Sequence, residues 1–445
     1  MEAALVYSAI LGLYLAGWPV VMAQGRFLSR PLPAIFYLVM LVFNGFGSLY
    51  VVWPELSQIR HLSPEIGNTY LLLVILQIVI FYVFVLLSGR YLGTAGPALT
   101  RGRGTHVGRV SAVFWFLSLT MVAAYVALEG IPYGLTINPI DFAKQDLISL
   151  RTSAVQIQLS VLIVGFYGFP VLGAVGSLLY WRAHPSSTAR QLLLVLSLTA
   201  AVLLSLAFLH KTPVVALLSA LLFAYLLHRQ RIAWRLLLST GTIVAIVILA
   251  LYFLYNPGHE LQRYLTSLLP GIVRRIVGSY SESLAAVIDV VHRRGFFGGT
   301  TLSHPGIHLP YQPVDLPTVL HEEIIGRTGN APVGVAGEGY ANFGWPGAYL
   351  FLIITNAYVF LAQGLVDWLG RLDRSLWAFC AVFFALIIYQ LPTSSISLTI
   401  LDPVNLLSLL VILAIAARRT ARPPGLDATP ADRPADGAMQ RGSTP

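Results

Sequence analysis

The segment TYLLLVILQIVIFYVFVLLS, residues 69–88, decides the structural class of this protein. It contains no charged side chain, and about twenty such residues are needed for an α-helix to cross the hydrocarbon core of a membrane. A chain that repeats such segments cannot solvate its surface as a water-soluble globule does. We therefore predict an all-α, polytopic integral membrane protein.

Comparable apolar runs recur over most of the 445 residues. The chain is 56% hydrophobic and 11% charged, whereas a soluble globule carries about 25% charged residues. We predict about eleven transmembrane helices, at residues 3–23, 33–53, 69–88, 111–128, 159–180, 191–209, 212–228, 236–255, 346–367, 376–392 and 401–416.

The predicted spans divide the chain into four regions. Residues 1–255 hold transmembrane helices 1–8, residues 256–345 form one long extracytoplasmic loop, and residues 346–416 hold helices 9–11. The tail, residues 417–445, lacks apolar periodicity and is predicted to be disordered and cytoplasmic.

The long loop has two parts of different character. Residues 271–294 show helical periodicity, whereas residues 295–346 contain ten Gly and six Pro, from which we expect no long regular element. The helical part is expected to bury one apolar stripe, formed by Val273, Val277, Tyr280, Leu284, Ile288 and Val291.

The distribution of basic residues predicts the orientation in the membrane. With the N-terminus outside and the C-terminus in the cytoplasm, 18 of the 28 Lys and Arg residues fall on the cytoplasmic side, where they are normally retained. The net charge of +9 is thereby explained without nucleic-acid binding.

Metal and cofactor chemistry is not expected. The single cysteine, Cys380, lies in an apolar run, so that an intramolecular disulfide and a Cys-based zinc site are excluded. His304 and His308 have the spacing of a helical metal pair, but Pro305 and Gly306 lie between them, so we predict no metal site. The chain has no phosphate-binding glycine motif, and no cofactor is predicted.

Two adjacent arginines open the predicted loop helix. A helical wheel places Arg275 on one stripe with Glu282 and Asp289, so that its charge is neutralised along its own helix. Arg274 has no acidic residue at helical spacing, which makes it the better candidate for binding an external anion. For both residues, a solvated face or an ion pair is the alternative interpretation.

Lys211 and Arg151 are two further candidates for anion binding. Lys211 lies between two apolar runs and points either to the membrane interface or to an anionic headgroup, for which a lipid-linked diphosphate is the natural ligand. Arg151 ends the other outer segment, next to a span. A guanidinium group suits phosphate because its donors bind two oxygens at once.

Glu338 is the candidate proton acceptor. It lies in GlyGluGlyTyrAlaAsnPheGlyTrpProGly, residues 337–347, directly before a predicted span. A carboxylate in this glycine-rich segment acts either as a general base or as a helix cap, and both readings stay open. Tyr340 and Phe343 offer ring faces on which a sugar can stack.

The layout and this motif resemble the Wzy-type O-antigen and oligosaccharide repeat-unit polymerases of the bacterial inner membrane. In that family the loop commonly closes with an acidic residue, an aromatic residue and Asn-Phe-Gly before a glycine-containing helix. Lys211, followed by small and apolar residues, resembles the basic residue at the outer start of a middle span, which is usually arginine in the family. The motif matches at Glu338, Tyr340, Asn342, Phe343, Gly344 and Gly347.

The resemblance implies a C-type glycosyltransferase fold and a metal-independent reaction. The growing glycan on undecaprenyl diphosphate would pass to a sugar hydroxyl of an incoming lipid-linked repeat unit. Donor and acceptor glycans, membrane lipids and a chain-length regulator are the expected partners, and nucleic acid is not. Glu338 and Arg274 would be catalytic; Lys211, Arg151 and Arg275 would bind the diphosphate; and Tyr280, Tyr340, Asn342 and Phe343 would position the sugar and the loop.

Two other functions remain as alternatives. O-antigen ligases share the architecture but typically present a His-Asn pair where this chain has Glu338 and Asn342. A transporter or flippase of lipid-linked sugars would also need basic groups facing a cavity. Such transporters usually show internal repeats and broken helices in matched halves, and the sequence predicts neither.

Overall fold

The structure is a computed structural model that describes residues 2–22, 26–56, 63–91, 104–132, 160–207, 211–255, 266, 269–302, 312–326, 331–392 and 394–420. Within these ranges all regular structure is helical and no strand occurs. The predicted all-α class is confirmed for this part of the chain.

The described chain contains thirteen α-helices of ten or more residues. Shorter elements connect them, among which are π-helices at Leu41–Phe46 and Arg274–Gly278 and a short helix at Ile396–Ile400. The long helices are α1 (Glu2–Ala16), α2 (Pro31–Met40), α3 (Pro64–Tyr91), α4 (Thr105–Glu129), α5 (Ser160–Ala183), α6 (Thr188–Leu206), α7 (Lys211–Arg229), α8 (Trp234–Tyr255), α9 (Ser279–Arg294), α10 (Leu316–Ile325), α11 (Gly334–Gly370), α12 (Arg374–Ile388) and α13 (Pro403–Thr420).

Five segments of the described chain are long and apolar enough to cross a membrane, by length and composition. Helical segments overlap all eleven predicted spans, but only these five meet the criterion within the described residues, so the number eleven stays a prediction. The apolar helices indicate a membrane-embedded protein. The five segments are Pro31–Val52, Pro64–Gly89, Thr105–Leu128, Thr188–Leu206 and Gly334–Gly370.

The interior is built around α12, which packs against α2, α5, α7 and α11. Trp377, Phe379 and Cys380 on α12 are fully buried. The outward faces of α3 and α6 instead expose leucines, as expected for surfaces that lipid covers. The described part of the chain therefore has an apolar core and an apolar rim.

The predicted loop helix forms, with one difference in its first turn. Tyr280, Leu284, Ile288 and Val291 are buried as expected, and α9 packs on α3 and α11. Val273 is 44% exposed, because the π-helix Arg274–Gly278 lies between it and α9 and adds a residue to that turn. The stripe therefore changes register at the π-helix.

The structure has more helix than the sequence predicted in two places. Residues 295–346 were expected to lack long regular structure, but they contain α10 and the start of α11. Packing overrides the low helix propensity of this segment, since Gly337 lies close to Leu284 and Val287 of α9. At the other end, α13 continues to Thr420, beyond the predicted start of the tail, and the remaining residues lie outside the described part.

Candidate functional site

The candidate site surrounds a break in α11 at Gly344. Gly344 has φ 63° and ψ −145°, a conformation that only glycine adopts readily, and it divides α11 into residues 334–343 and a longer second part. The two parts touch backbone to backbone, because a Cβ atom on Gly339 would lie 2.5 Å from the carbonyl oxygen of Gly347. The sequence did not predict this break, which occurs in a single helix.

Glu338 lies inside the first part of α11 and is 1% exposed. Its Oε2 atom accepts a hydrogen bond of 2.8 Å from the backbone N–H of Ile396, and Ser395 also donates to it. From the sequence, Glu338 was expected to lie in irregular backbone directly before the predicted span at residues 346–367. The structure instead places it in a helix, where it caps the short helix Ile396–Ile400 from another part of the chain.

Asn342 connects the break in α11 to the loop at residues 297–301. Its Nδ2 donates to Thr301 Oγ1 at 2.6 Å and to the Glu338 carbonyl at 2.9 Å, while its Oδ1 accepts from the N–H of Gly299 at 3.0 Å. The carbonyls of Ala341 and Asn342 accept from the N–H groups of Phe297 and Gly298. Asn342 therefore holds the loop at residues 297–301 against the break in α11.

Aromatic rings surround the same break. Tyr340 is buried, with ring centroids 6.1 Å from Phe296 and 5.7 Å from Trp345. Phe343 is 45% exposed and Phe296 is 59% exposed. The partly exposed rings beside the break at Gly344 are therefore those of Phe343 and Phe296, and the buried ring of Tyr340 packs against Phe296.

Tyr280, expected to position a sugar, lies in the interior. Its ring centroid is 6.1 Å from that of Phe43, and a side chain at Gly334 would collide with the ring. Burial raises the pKa of the Tyr280 hydroxyl. The hydroxyl therefore stays protonated at the junction of α9 and α11, and its ring is closed to a ligand from outside.

Arg274 has an acidic partner, Glu282, although the helical wheel predicted none. Its Nη2 atom lies 2.5 Å from Glu282 Oε1, its Nε donates to Oε2 at 3.3 Å, and its Cζ lies 5.9 Å from the Tyr50 ring centre. The wheel assumed an uninterrupted α-helix. The extra residue in the π-helix turn rotates Arg274 onto the face of Glu282, eight residues away.

Asp289, the second acidic residue that the wheel assigned to Arg275, contacts another arginine of α9. Asp289 pairs with Arg293 at 2.7 Å and raises the pKa of that guanidinium. Glu323 of α10 pairs with both Arg293 and Arg294, at 3.1 and 2.7 Å, so that ion pairs join α9 to α10. Arg275 itself is exposed.

The remaining predicted residues lie partly outside the described part of the chain. Lys211 is the first residue of α7, but its side chain is outside the described part, and so are Arg151, His304 and His308. Among the described residues, no group of three His, Cys, Asp or Glu side chains is placed to hold a metal ion.

Sequence reasoning missed Phe296, Trp345 and the Ser395–Ile396 turn. The pair Phe296–Phe297 before two glycines was the only local signal for the aromatic surface. No spacing rule could have found Ile396, since it reaches Glu338 across 58 positions of sequence.

No family model, curated protein or solved structure matches this chain. The side chains themselves are therefore the basis for assigning a function. Around Gly344 they combine a buried carboxylate held by neutral donors with exposed aromatic faces, and α9 packs against the same helix. This arrangement can accept a proton and stack a ring.

Proposed function

We propose that this protein is a membrane glycosyltransferase that polymerises undecaprenyl-diphosphate-linked oligosaccharide repeat units into O-antigen or a related surface polysaccharide. The observation that carries the proposal is Glu338, a buried carboxylate whose described contacts, Ile396 and Ser395, are neutral. Such a group can take a proton from the acceptor hydroxyl without first breaking an ion pair.

In the proposed reaction, an acceptor sugar hydroxyl attacks the anomeric carbon of the donor glycan. The bond from that carbon to the diphosphate oxygen breaks, the new glycosidic bond forms, and Glu338 receives the hydroxyl proton. Undecaprenyl diphosphate leaves with the bonding electrons. Phe343 and Phe296 supply exposed faces for the sugar rings.

The developing charge on the diphosphate must be met by cations. Arg274 binds Glu282 through two of its five N–H donors, which leaves three for a phosphate oxygen. Its partial exposure supports this second contact, with 26% of the side chain accessible. Lys211, Arg151 and Arg275 complete the proposed diphosphate-binding set, and no metal or cofactor enters the reaction.

The proposed setting is the bacterial inner membrane, with the N-terminus outside, the C-terminus in the cytoplasm and a C-type glycosyltransferase-like arrangement of about eleven spans. Donor and acceptor glycans would enter from the outer face, where the loop at residues 256–345 lies in this orientation. A chain-length regulator is a further proposed partner.

A transporter or flippase of lipid-linked sugars is the second candidate. The observation that favours it is helix discontinuity: α11 breaks at Gly344, and α2 runs into the π-helix Leu41–Phe46. Transporters often bind substrate at such interruptions. A ligase is less well supported, because Glu338 and Asn342 stand where ligases typically have a His-Asn pair.

Reconstitution of the purified protein with a lipid-linked repeat unit tests the proposal. We expect glycans of increasing length and one undecaprenyl diphosphate released for each bond formed. Movement of the intact lipid-linked unit across the bilayer, without release of undecaprenyl diphosphate, would establish the transporter and refute the polymerase.

A further inference from the structure

Three helix ends carrying basic side chains meet on the side of the protein that is predicted to face the cytoplasm. Helix α5 ends near Arg182, α7 ends with His228 and Arg229, and α12 begins at Arg374. The three helices pack against one another. The charged groups that act on His228 are Arg374, Arg182 and Arg229, all positive.

Aromatic rings contact two of these arginines, Arg182 and Arg229. The Cζ atom of Arg182 lies 5.4 Å from the Trp181 ring centre and 5.3 Å from that of Tyr225. The Cζ atom of Arg229 lies 5.6 Å from the Tyr225 ring centre. Such contacts orient a guanidinium group but leave its full positive charge in place.

Several nitrogen atoms at this junction are buried and lack a hydrogen-bond partner. They are Nε of Arg182, Nε1 of Trp181 and Nδ1 of His228. The carboxylate next to Arg374, that of Asp373, accepts from the backbone N–H of Ser375 at 2.7 Å. Buried polar atoms normally have partners, and converging cations repel one another unless an anion lies between them.

The position of the junction indicates which anion would reach it. Trp181 lies at the end of α5, and the first residue of α8, Trp234, is largely exposed. Tryptophan is enriched where membrane meets water, which places the arginines at the depth of lipid headgroups. The cytoplasmic leaflet carries anionic lipids that attract basic groups at this depth.

We propose that Arg182, Arg229 and Arg374, arranged around His228, bind the phosphate of an anionic phospholipid headgroup. Guanidinium groups form paired hydrogen bonds with phosphate oxygens, and the rings of Trp181 and Tyr225 fix their orientation. This site is separate from the glycan site and does not depend on the proposed glycosyltransferase activity.

The test compares two pairs of substitutions that remove equal charge from the same face. The full-length protein is placed in nanodiscs of mixed phosphatidylglycerol and phosphatidylcholine, and co-purifying lipid is counted by native mass spectrometry. One variant carries Arg182→Gln and Arg229→Gln. The matched control carries Arg231→Gln and Arg235→Gln, at two exposed positions outside the junction.

We expect the first variant to retain at least about tenfold less phosphatidylglycerol than the control, the loss expected from removing one charge-assisted hydrogen bond. Equal retention in the two variants would overturn the site, because bulk surface charge would then explain all binding.

The single variant Arg229→Gln is the control for misfolding, because Arg229 is exposed and its substitution should not disturb the fold. Its retention of phosphatidylglycerol should fall about fivefold, which is the contribution of one basic group near an anionic surface, while its melting temperature should equal that of the wild type. Wild-type retention by this single variant would contradict the assignment of Arg229.

A second arm separates the lipid from soluble phosphate compounds. Inorganic diphosphate is added to the wild-type protein in nanodiscs of phosphatidylcholine alone and in the mixed nanodiscs. We expect phosphatidylglycerol to stay bound in the mixed nanodiscs. Displacement of the lipid by diphosphate, with diphosphate bound in its place, would assign the junction to a soluble phosphate compound and overturn the lipid assignment.

Discussion

Two buried carboxylates on the neighbouring helices α9 and α11 have opposite surroundings. Glu282 on α9 is 3% exposed and forms an ion pair with Arg274, whereas Glu338 on α11 is 1% exposed and is held by the N–H of Ile396 and by Ser395. The two carboxylates are therefore buried to the same extent but differ in the groups that bind them. A carboxylate fixed by a cation serves the fold, while one held by neutral donors can exchange a proton.

The largest expected effect follows from removing the proton acceptor. Glu338→Gln keeps an oxygen that accepts from Ile396 but cannot take a proton from the acceptor sugar. We expect turnover by the purified protein to fall by about 10²–10⁴, the usual contribution of a general base. The measurement is the rate of undecaprenyl diphosphate release.

A change at Gly344 tests whether the break in α11 positions Glu338. Gly344→Ala forces a side chain into a conformation that costs about 1–3 kcal/mol, and its Cβ would lie 3.0 Å from the Phe296 ring. We expect a lower melting temperature together with reduced turnover. Gly364→Ala is the control, since Gly364 lies in the same helix with open space around it and should be neutral or stabilising. Wild-type behaviour of Gly344→Ala would show that the break is not required.

Glu282→Gln tests the structural half of the comparison. It removes an ion pair and leaves the partly buried Arg274 without its acidic partner, which should lower the free energy of unfolding by roughly 1.5–3 kcal/mol. Turnover per folded molecule should fall by much less than for Glu338→Gln. Adding Arg274→Gln should then cost less than the sum of the two single changes; strict additivity would mean that the pair contributes nothing.

The smallest effect is expected at the exposed ion pairs between α9 and α10. Arg294→Gln removes a pair with Glu323 at 2.7 Å, which at this exposure contributes about 0–1 kcal/mol. The melting temperature should change little, and any change should vanish at high salt. Arg293→Gln, which removes contacts to both Asp289 and Glu323, is the matched comparison. A large loss for Arg294→Gln would show that these pairs are as structural as that of Glu282.

The sequence predicted the class of fold and the buried face of α9, because both depend on local apolar periodicity. It could not predict the partner of Arg274, since one extra residue in a π-helix turn changes which side chains share a face. It also missed that the glycine-rich segment around Glu338 is helical. There the packing of Gly337 on α9 and of Gly339 on Gly347 outweighs intrinsic propensity.

The contact between Glu338 and Ile396 shows the second limit of local patterns. The motif at residues 337–347 identified the carboxylate and allowed for a helix cap, but the capped helix lies elsewhere in the chain. Such a contact depends on the tertiary fold. For the same reason, the exposed ring of Phe296 next to the break was not expected from sequence.

Turnover and melting temperature, measured side by side on Glu338→Gln and Glu282→Gln, test the difference between the two carboxylates most directly. We expect Glu338→Gln to melt near the wild-type temperature, to bind the lipid-linked donor and to be inactive, while Glu282→Gln melts earlier and stays active. An active Glu338→Gln protein that is less stable by about 1 kcal/mol, the cost of a weakened helix cap, would contradict the account.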